Sequence, residues 1–134
     1  MSFEEISHTA DVKIRAQALT LDALFTDAFL ALMQIVYGTD RKVGIIKEIR
    51  IESDTIESLL IDFLSEVLFI AEVEGLVFSD AEIKIDGLSL TAILKGEFFD
   101  PLRHSSLDFR KKPSINLVKI GLNQAIWLAM VLMY

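Results

Sequence analysis

The stretch IKIDGLSLTAIL, residues 83–94, contains the clearest fold signal in the chain. Apolar and polar residues alternate on both sides of Asp86-Gly87, and this period of two is typical of strands with one buried face. Asp-Gly between two alternating runs is the strongest short-range signal for a β-hairpin. The stretch is therefore predicted to form two antiparallel strands, the first of which begins near Leu76.

Two amphipathic helices are predicted upstream of this hairpin. The first follows Thr20, which suits an N-cap, and its apolar residues recur at helical spacing until Gly38. The second is signalled by Asp54 and Glu57, which have the spacing of a capping box, and its apolar pattern fades at Glu74.

Two more β segments complete the predicted order β-α-β-α-β-β. Residues 12–18 alternate apolar and polar side chains, and residues 43–51 are rich in isoleucine. Two amphipathic helices and a mostly antiparallel sheet predict the α+β class, as a two-layer sandwich with both helices on one face. No repeat or linker interrupts the 134 residues, so we expect a single domain over residues 1–134.

The composition excludes several functional classes. The chain has no cysteine, which excludes disulfides, zinc–cysteine sites and thiol catalysis. A net charge of −7 disfavours direct nucleic-acid binding and suits a basic protein partner or a hard cation. The N-terminal residues lack a signal-peptide pattern, and the apolar residues 125–134 are too few to cross a bilayer. We expect a soluble cytoplasmic protein.

The charge changes sign near residue 109. All 20 acidic residues and nine of the 13 basic residues lie in residues 1–108, which gives that part a net charge of −11. Residues 109–134 contain four basic residues and no acidic one. This C-terminal tail is atypical of the rest of the chain.

Few residues suggest chemistry by spacing alone. No phosphate-binding glycine loop, dinucleotide-binding glycine motif or zinc-protease motif is present. Asp62 and Glu66 lie four residues apart on the second helix, where they would share a cation or simply be solvated. The segment His8-Thr9-Ala10-Asp11 packs polar side chains just ahead of a strand. Its Thr9 and Asp11 would make local turn hydrogen bonds or form part of a site.

Four segments together resemble the archease family. They are HTADV at residues 8–12, TLDALF at 20–25, SLLIDFLSEVLF at 58–69 and KGEFFDPLRH at 95–104. Their order and spacing match the family pattern through about residue 108.

The resemblance implies a small accessory protein whose partner is a tRNA-splicing RNA ligase. An archease promotes the nucleotidylation and turnover of that ligase and is not itself an enzyme. The resemblance also implies a site for a divalent cation, either calcium or magnesium/manganese, with Asp11 as one ligand and an aspartate near the C-terminus as another. Hard cations prefer such carboxylate oxygens.

The tail departs from the family pattern. The family has a Lys-Ala-Val/Ile-Thr-Tyr-His strand and an apolar-Asp-Val/Ile ending, where this chain has RKKPSI at residues 110–115 and MVLMY at 130–134. Lys112 is the nearest match to the family's functional lysine. A reading-frame shift near residue 109 would explain both the departure and the charge change, and the genomic sequence across codons 105–115 would test it.

Three consequences of the altered tail are predicted. The sheet would lack its last strands and expose an edge, residues 123–133 would become helical, and the cation would bind weakly because Asp11 is the one matching ligand. Two other functions remain open. One is a metal-dependent hydrolase that uses Asp11, Glu97 and His104 to hold a cation and activate water. The other is an inactive or impaired family member that keeps the fold.

Overall fold

A computed structural model describes residues 3–7, 12–39, 41–104 and 114–133 of the chain. The described residues form seven strands and two helices, in the order β1 Phe3–Ser7, β2 Val12–Ala18, α1 Leu21–Tyr37, β3 Ile45–Glu52, α2 Ile56–Glu74, β4 Leu76–Asp86, β5 Ser89–Phe98, β6 Ile115–Asn123 and β7 Ile126–Met133.

The strands form two antiparallel sheets, one with the order β1-β2-β7-β6 and one with the order β3-β5-β4. The α+β class with antiparallel strands is thus confirmed, and the structure adds that the strands divide between two sheets. The predicted hairpin joins β4 to β5, where Asp86 pairs with Ser89. Gly87 in this turn has a φ of 63°, which glycine adopts without steric cost.

A threonine just before each helix caps its N-terminus. The Thr20 hydroxyl accepts a hydrogen bond from the Ala23 backbone N–H at 3.1 Å, which confirms the predicted cap of α1. The Thr55 hydroxyl accepts from the Ser58 N–H at 3.0 Å. The prediction that Asp54 caps α2 is therefore wrong, because the side chain of Thr55 reaches the exposed amide of the first turn.

The core lies between the helices and the two sheets. α1 packs against β2 of the larger sheet and β4 of the smaller one, and α2 packs against β6 and β4. Phe63 of α2 contacts Phe25 and Phe29 of α1, with ring centroids 6.4 and 6.0 Å apart, and all three side chains are fully buried. The helices thus bridge the sheets around one aromatic centre.

The tail supplies two strands, so the predictions that the sheet lacks its last strands and that residues 123–133 form a helix are wrong. β7 pairs with β2, so that Val131 lies opposite Ile14 inside the core. Gln124 and Ala125 have φ values of 51° and 67°, as a two-residue hairpin turn requires. Because β7 is apolar on both faces, its period of two does not stand out from the sequence.

At one end of the fold, strands β2 and β3 begin and α1, β5 and β7 end. We call this end the loop end. There Val12 of β2 pairs with Met133 of β7, and Ile45 of β3 pairs with Gly96 of β5. Tyr37, the last residue of α1, contacts Phe99 with ring centroids 6.3 Å apart. The two sheets therefore approach the same end of α1.

Candidate functional site at the loop end

The segment that follows β5 is held by an ion pair between Glu97 and Arg103. Arg103 Nη1 donates to Glu97 Oε2 at 3.1 Å, and Nη2 donates to Oε1 at 2.5 Å, an arrangement that engages both carboxylate oxygens. The backbone N–H of Lys42 also donates to Oε2, at 2.7 Å. Glu97 is largely shielded, with its side chain 15% exposed. This carboxylate therefore ties the segment before β3 to the one after β5.

His104 completes the cluster from inside the fold. Its side chain is fully buried, and its Nδ1 accepts a hydrogen bond from the Asp100 backbone N–H at 2.8 Å. In the neutral ring the proton is then on Nε2, which lies 3.2 Å from Glu97 Oε2 and donates to it. The imidazole also packs against Phe99, at a centroid distance of 5.7 Å.

Hydrogen bonds within this cluster lower the pKa of two carboxyl groups. The hydrogen bonds from Arg103 lower the pKa of Glu97 from 4.5 to about 2, with desolvation acting in the opposite direction and Lys42 and His104 adding smaller contributions. The Leu102 backbone N–H, 2.9 Å from Asp100 Oδ1, is the main cause of the lowered pKa of Asp100. Both groups are ionised at neutral pH, so neither is suited to donate a proton.

A glycine allows the cluster to form. A Cβ on Gly96 would overlap the Val77 carbonyl oxygen and lie 2.9 Å from the Phe78 Cα. The Gly96 carbonyl accepts a hydrogen bond from the Gly44 N–H at 2.7 Å. The Gly-Glu pair of the sequence motif thus has a packing reason, because the backbone approaches its neighbours too closely for a side chain.

The arrangement does not support a metal-dependent hydrolase. Asp11 lies outside the described residues, as do His8 and Lys112. Glu97 and His104 do lie together, but both ring nitrogens of His104 are engaged and leave no lone pair for a metal. Among residues 12–39, 41–104 and 114–133, no three His, Asp or Glu side chains form a possible metal group.

The pairing of β2 with β7 would bring a carboxylate near the C-terminus close to the start of β2, where the cation site is expected, but β7 of this chain supplies none. Val12, which follows Asp11, pairs with Met133 of β7. The sequence of β7 is IWLAMVLM, which includes no carboxylate or other hard oxygen ligand in a side chain. A site built from two aspartates at this junction therefore does not fit the residues present.

Of the two helix carboxylates singled out in the sequence, Asp62 has another role. Asp62 Oδ2 accepts a hydrogen bond from the Ser53 hydroxyl at 2.5 Å, which links α2 to the segment just after β3. Neither Arg103 nor the Lys42 backbone was predicted from the sequence as a partner of Glu97. The six-residue spacing of Glu97 and Arg103 within one loop is the signal that was available.

Comparison with known proteins agrees with the architecture. The model of the Archease protein family (MTH1598/TM1083) matches residues 3–133. The chain is 36% identical to the protein archease of Pyrococcus furiosus over 135 residues, covering 95% of this chain and 94% of the relative. It is 33% identical to the protein archease of Methanopyrus kandleri over 135 residues, covering 96% of each.

A solved structure has the same fold. The solution structure of Methanobacterium thermoautotrophicum protein 1598 superposes with a TM-score of 0.80 at 27% identity, covering 98% of this chain and 96% of that one. The family match therefore extends through the tail, and the prediction that it stops near residue 108 is wrong.

In the described part of the chain, no helix is long and apolar enough to span a membrane.

Proposed function

The chain belongs to the archease family, and on that premise we propose that it is a cytoplasmic accessory factor that activates a tRNA-splicing RNA ligase. In this role it promotes the nucleotidylation and turnover of the ligase and does not join RNA itself. The family match over residues 3–133 is the observation that carries the proposal.

Exposed apolar side chains at the loop end support a docking role. Leu102 is 93% exposed, and Val43 and Phe98 are also exposed. The ion pair of Glu97 and Arg103 holds the backbone that carries Phe98 and Leu102, and the Lys42 N–H bond to Glu97 holds the residue before Val43. Exposed apolar groups of this kind suit contact with another protein. The net charge of −7 suits the basic surface expected around an RNA ligase active site.

The proposed divalent cation is calcium, or magnesium or manganese, bound weakly at Asp11. Weak binding is expected because β7 brings no second carboxylate to the start of β2. We therefore assign no step of ligase activation to the cation. Calorimetric titration with calcium should give no tight site, whereas a tight single site would contradict this part of the proposal.

The function is tested with a cognate ligase in a multiple-turnover assay. The wild-type protein should increase the number of turnovers. Loss of that increase in Asp11→Ala, with an unchanged unfolding temperature, would show that the Asp11 carboxylate acts on the ligase and not in stability. Asp54→Asn is the matched control, because it removes a carboxylate beside the start of α2, at the opposite end of the fold, and should stimulate as the wild type does. Stimulation by Asp11→Ala equal to that of the wild type would refute a role for this residue.

The absence of carboxylates from β7 favours a second candidate, an impaired family member. A protein that unfolds cooperatively and yet leaves the ligase rate unchanged would establish this alternative and refute activation.

A further inference from the structure

The turn around Pro101 is held by hydrogen bonds within itself. The Asp100 carbonyl accepts hydrogen bonds from the Arg103 and His104 backbone N–H groups, at 3.1 and 2.8 Å. The Asp100 N–H donates to His104 Nδ1 at 2.8 Å, and the Leu102 N–H donates to Asp100 Oδ1 at 2.9 Å. Pro101 has no N–H to satisfy. Every backbone donor of the turn is therefore engaged inside the turn.

Two contacts attach this turn to the body of the protein. The Phe99 N–H donates to the Gly75 carbonyl at 2.8 Å, at the point where α2 ends. The Arg103 guanidinium engages both carboxylate oxygens of Glu97. We call residues 100–104 the Leu102 turn. Its conformation is therefore set when the protein folds, before any partner binds.

Leu102 lies at the exposed tip of this turn. At 93% exposure it is the most exposed large apolar side chain in the described part of the chain, so it adds almost nothing to the core. Ordering a backbone segment costs conformational entropy, and burial of the tip side chain does not offset that cost in the free protein. An apolar group on a backbone that is already ordered binds a partner more tightly, because the entropy is lost during folding and not on binding.

We propose that Leu102 is the anchor by which this protein docks on the RNA ligase, and that its side chain enters an apolar pocket on the ligase surface. This inference rests on the proposed function and adds to it the side chain that makes the contact. A single apolar side chain at the tip of a turn is buried only by a concave partner, and such anchors carry much of the affinity of an interface. Asp100 is a positioning residue, because its carboxylate holds the Leu102 N–H.

Other partners fit the Leu102 turn less well. A membrane surface with anionic lipids attracts basic proteins, whereas this chain has a net charge of −7 and ionised carboxylates at Glu97 and Asp100. Single-stranded RNA binds to basic grooves with aromatic side chains on which its bases stack, and a leucine at the tip of a turn supplies neither feature. The net charge instead suits a protein pocket with a basic border, as expected near an active site that holds RNA.

Binding and stimulation are measured with the same purified cognate ligase. Calorimetric titration gives the Kd, and a multiple-turnover assay over a range of protein concentrations gives the concentration for half-maximal stimulation. Leu102→Ala should raise both values by about 10- to 100-fold, as expected for the loss of most of a buried leucine side chain, and should leave the maximal stimulation unchanged. The unfolding temperature should stay the same, because the side chain is exposed in the free protein.

Leu19→Ala is the matched control. Leu19 is 77% exposed and follows the last residue of β2, away from the loop end, so the same substitution there should leave both values at the wild-type level. Asp100→Ala tests the positioning role. It should raise the Kd by about 2- to 10-fold in the wild type and no further in Leu102→Ala, because the position of the tip matters only while the leucine is present. An equal effect in both backgrounds would overturn the positioning role.

The possible failures of the anchor and of the proposed function are distinguishable. A Leu102→Ala protein that binds and stimulates as the wild type does overturns the anchor and leaves the proposed function standing. A wild type that binds the ligase through Leu102 without stimulating it overturns the proposed function and supports the anchor, and a wild type that does neither overturns both. Self-association of the wild type in sedimentation velocity that Leu102→Ala abolishes assigns the turn to a contact between copies and overturns the inference.

Discussion

Replacement of Glu97 by glutamine should remove a pH-dependent part of the stability of this protein. The folded protein holds the Glu97 pKa near 2, below its ordinary value of 4.5, mainly through Arg103. A carboxyl group whose pKa is lowered by folding stabilises the fold above its unfolded pKa. That contribution is therefore complete at pH 7 and is lost as the pH falls from about 4.5 to about 2.

The expected magnitude follows from the size of the pKa change. Each pKa unit is worth about 1.4 kcal/mol, so a decrease from 4.5 to about 2 sets an upper limit of about 3–4 kcal/mol. The Arg103 side chain is 28% exposed, and solvent screening reduces the expected contribution to about 1–2 kcal/mol. Glutamine keeps an acceptor for the Lys42 N–H, so the loss reflects mainly the charge.

Urea denaturation followed by circular dichroism measures this contribution. Wild type and Glu97→Gln should differ in free energy of unfolding by about 1–2 kcal/mol at pH 7, and the two should converge near pH 2. The control is Glu48→Gln, which breaks a more exposed pair with Arg50 at 3.5 Å and should change the free energy little at either pH. A Glu97→Gln difference that is the same at both pH values would refute the electrostatic explanation.

Three other substitutions test the fold. Gly96→Ala should lower the free energy of unfolding by about 1–3 kcal/mol, because the added Cβ overlaps the backbone of Val77 and Phe78. An unchanged midpoint in urea would show that the two strands move apart to accept the methyl group. Phe63→Ala should cost about 3–5 kcal/mol in the same assay because it empties the space between Phe25 and Phe29. Thr55→Ala should cost about 1 kcal/mol, and a smaller loss than that of Asp54→Ala would restore the aspartate as the cap.

The sequence predicted best the elements whose two faces differ in polarity. The helices, β2 and the hairpin around Asp86-Gly87 each bury one side and expose the other, so their periods are visible. β7 failed this test because Leu128 and Met130 are as apolar as the buried Ala129 and Val131. Its turn at Gln124-Ala125 has positive φ values without the glycine or asparagine that usually signals them.

The candidate site was predictable in its motif and not in its contacts. The Gly-Glu segment around Glu97 was recognised, but its partners lie 55 residues away at Lys42 and within the following turn at Arg103. Pairing across such a distance depends on the fold, which brings β3 beside β5. Asp11 remains a proposed ligand, and a reading-frame shift near residue 109 remains a prediction for the genomic sequence.

The place of β7 between β2 and β6 has a consequence for the biosynthesis of this protein. Val12 and Met133 are about 120 residues apart in the chain and are neighbours in the larger sheet. During translation β2 lacks its inner partner until β7 has left the ribosome. Such non-local pairing is slow. A premature stop codon a few residues before β7 would release a chain with a gap between β2 and β6, which chaperones and proteases would bind.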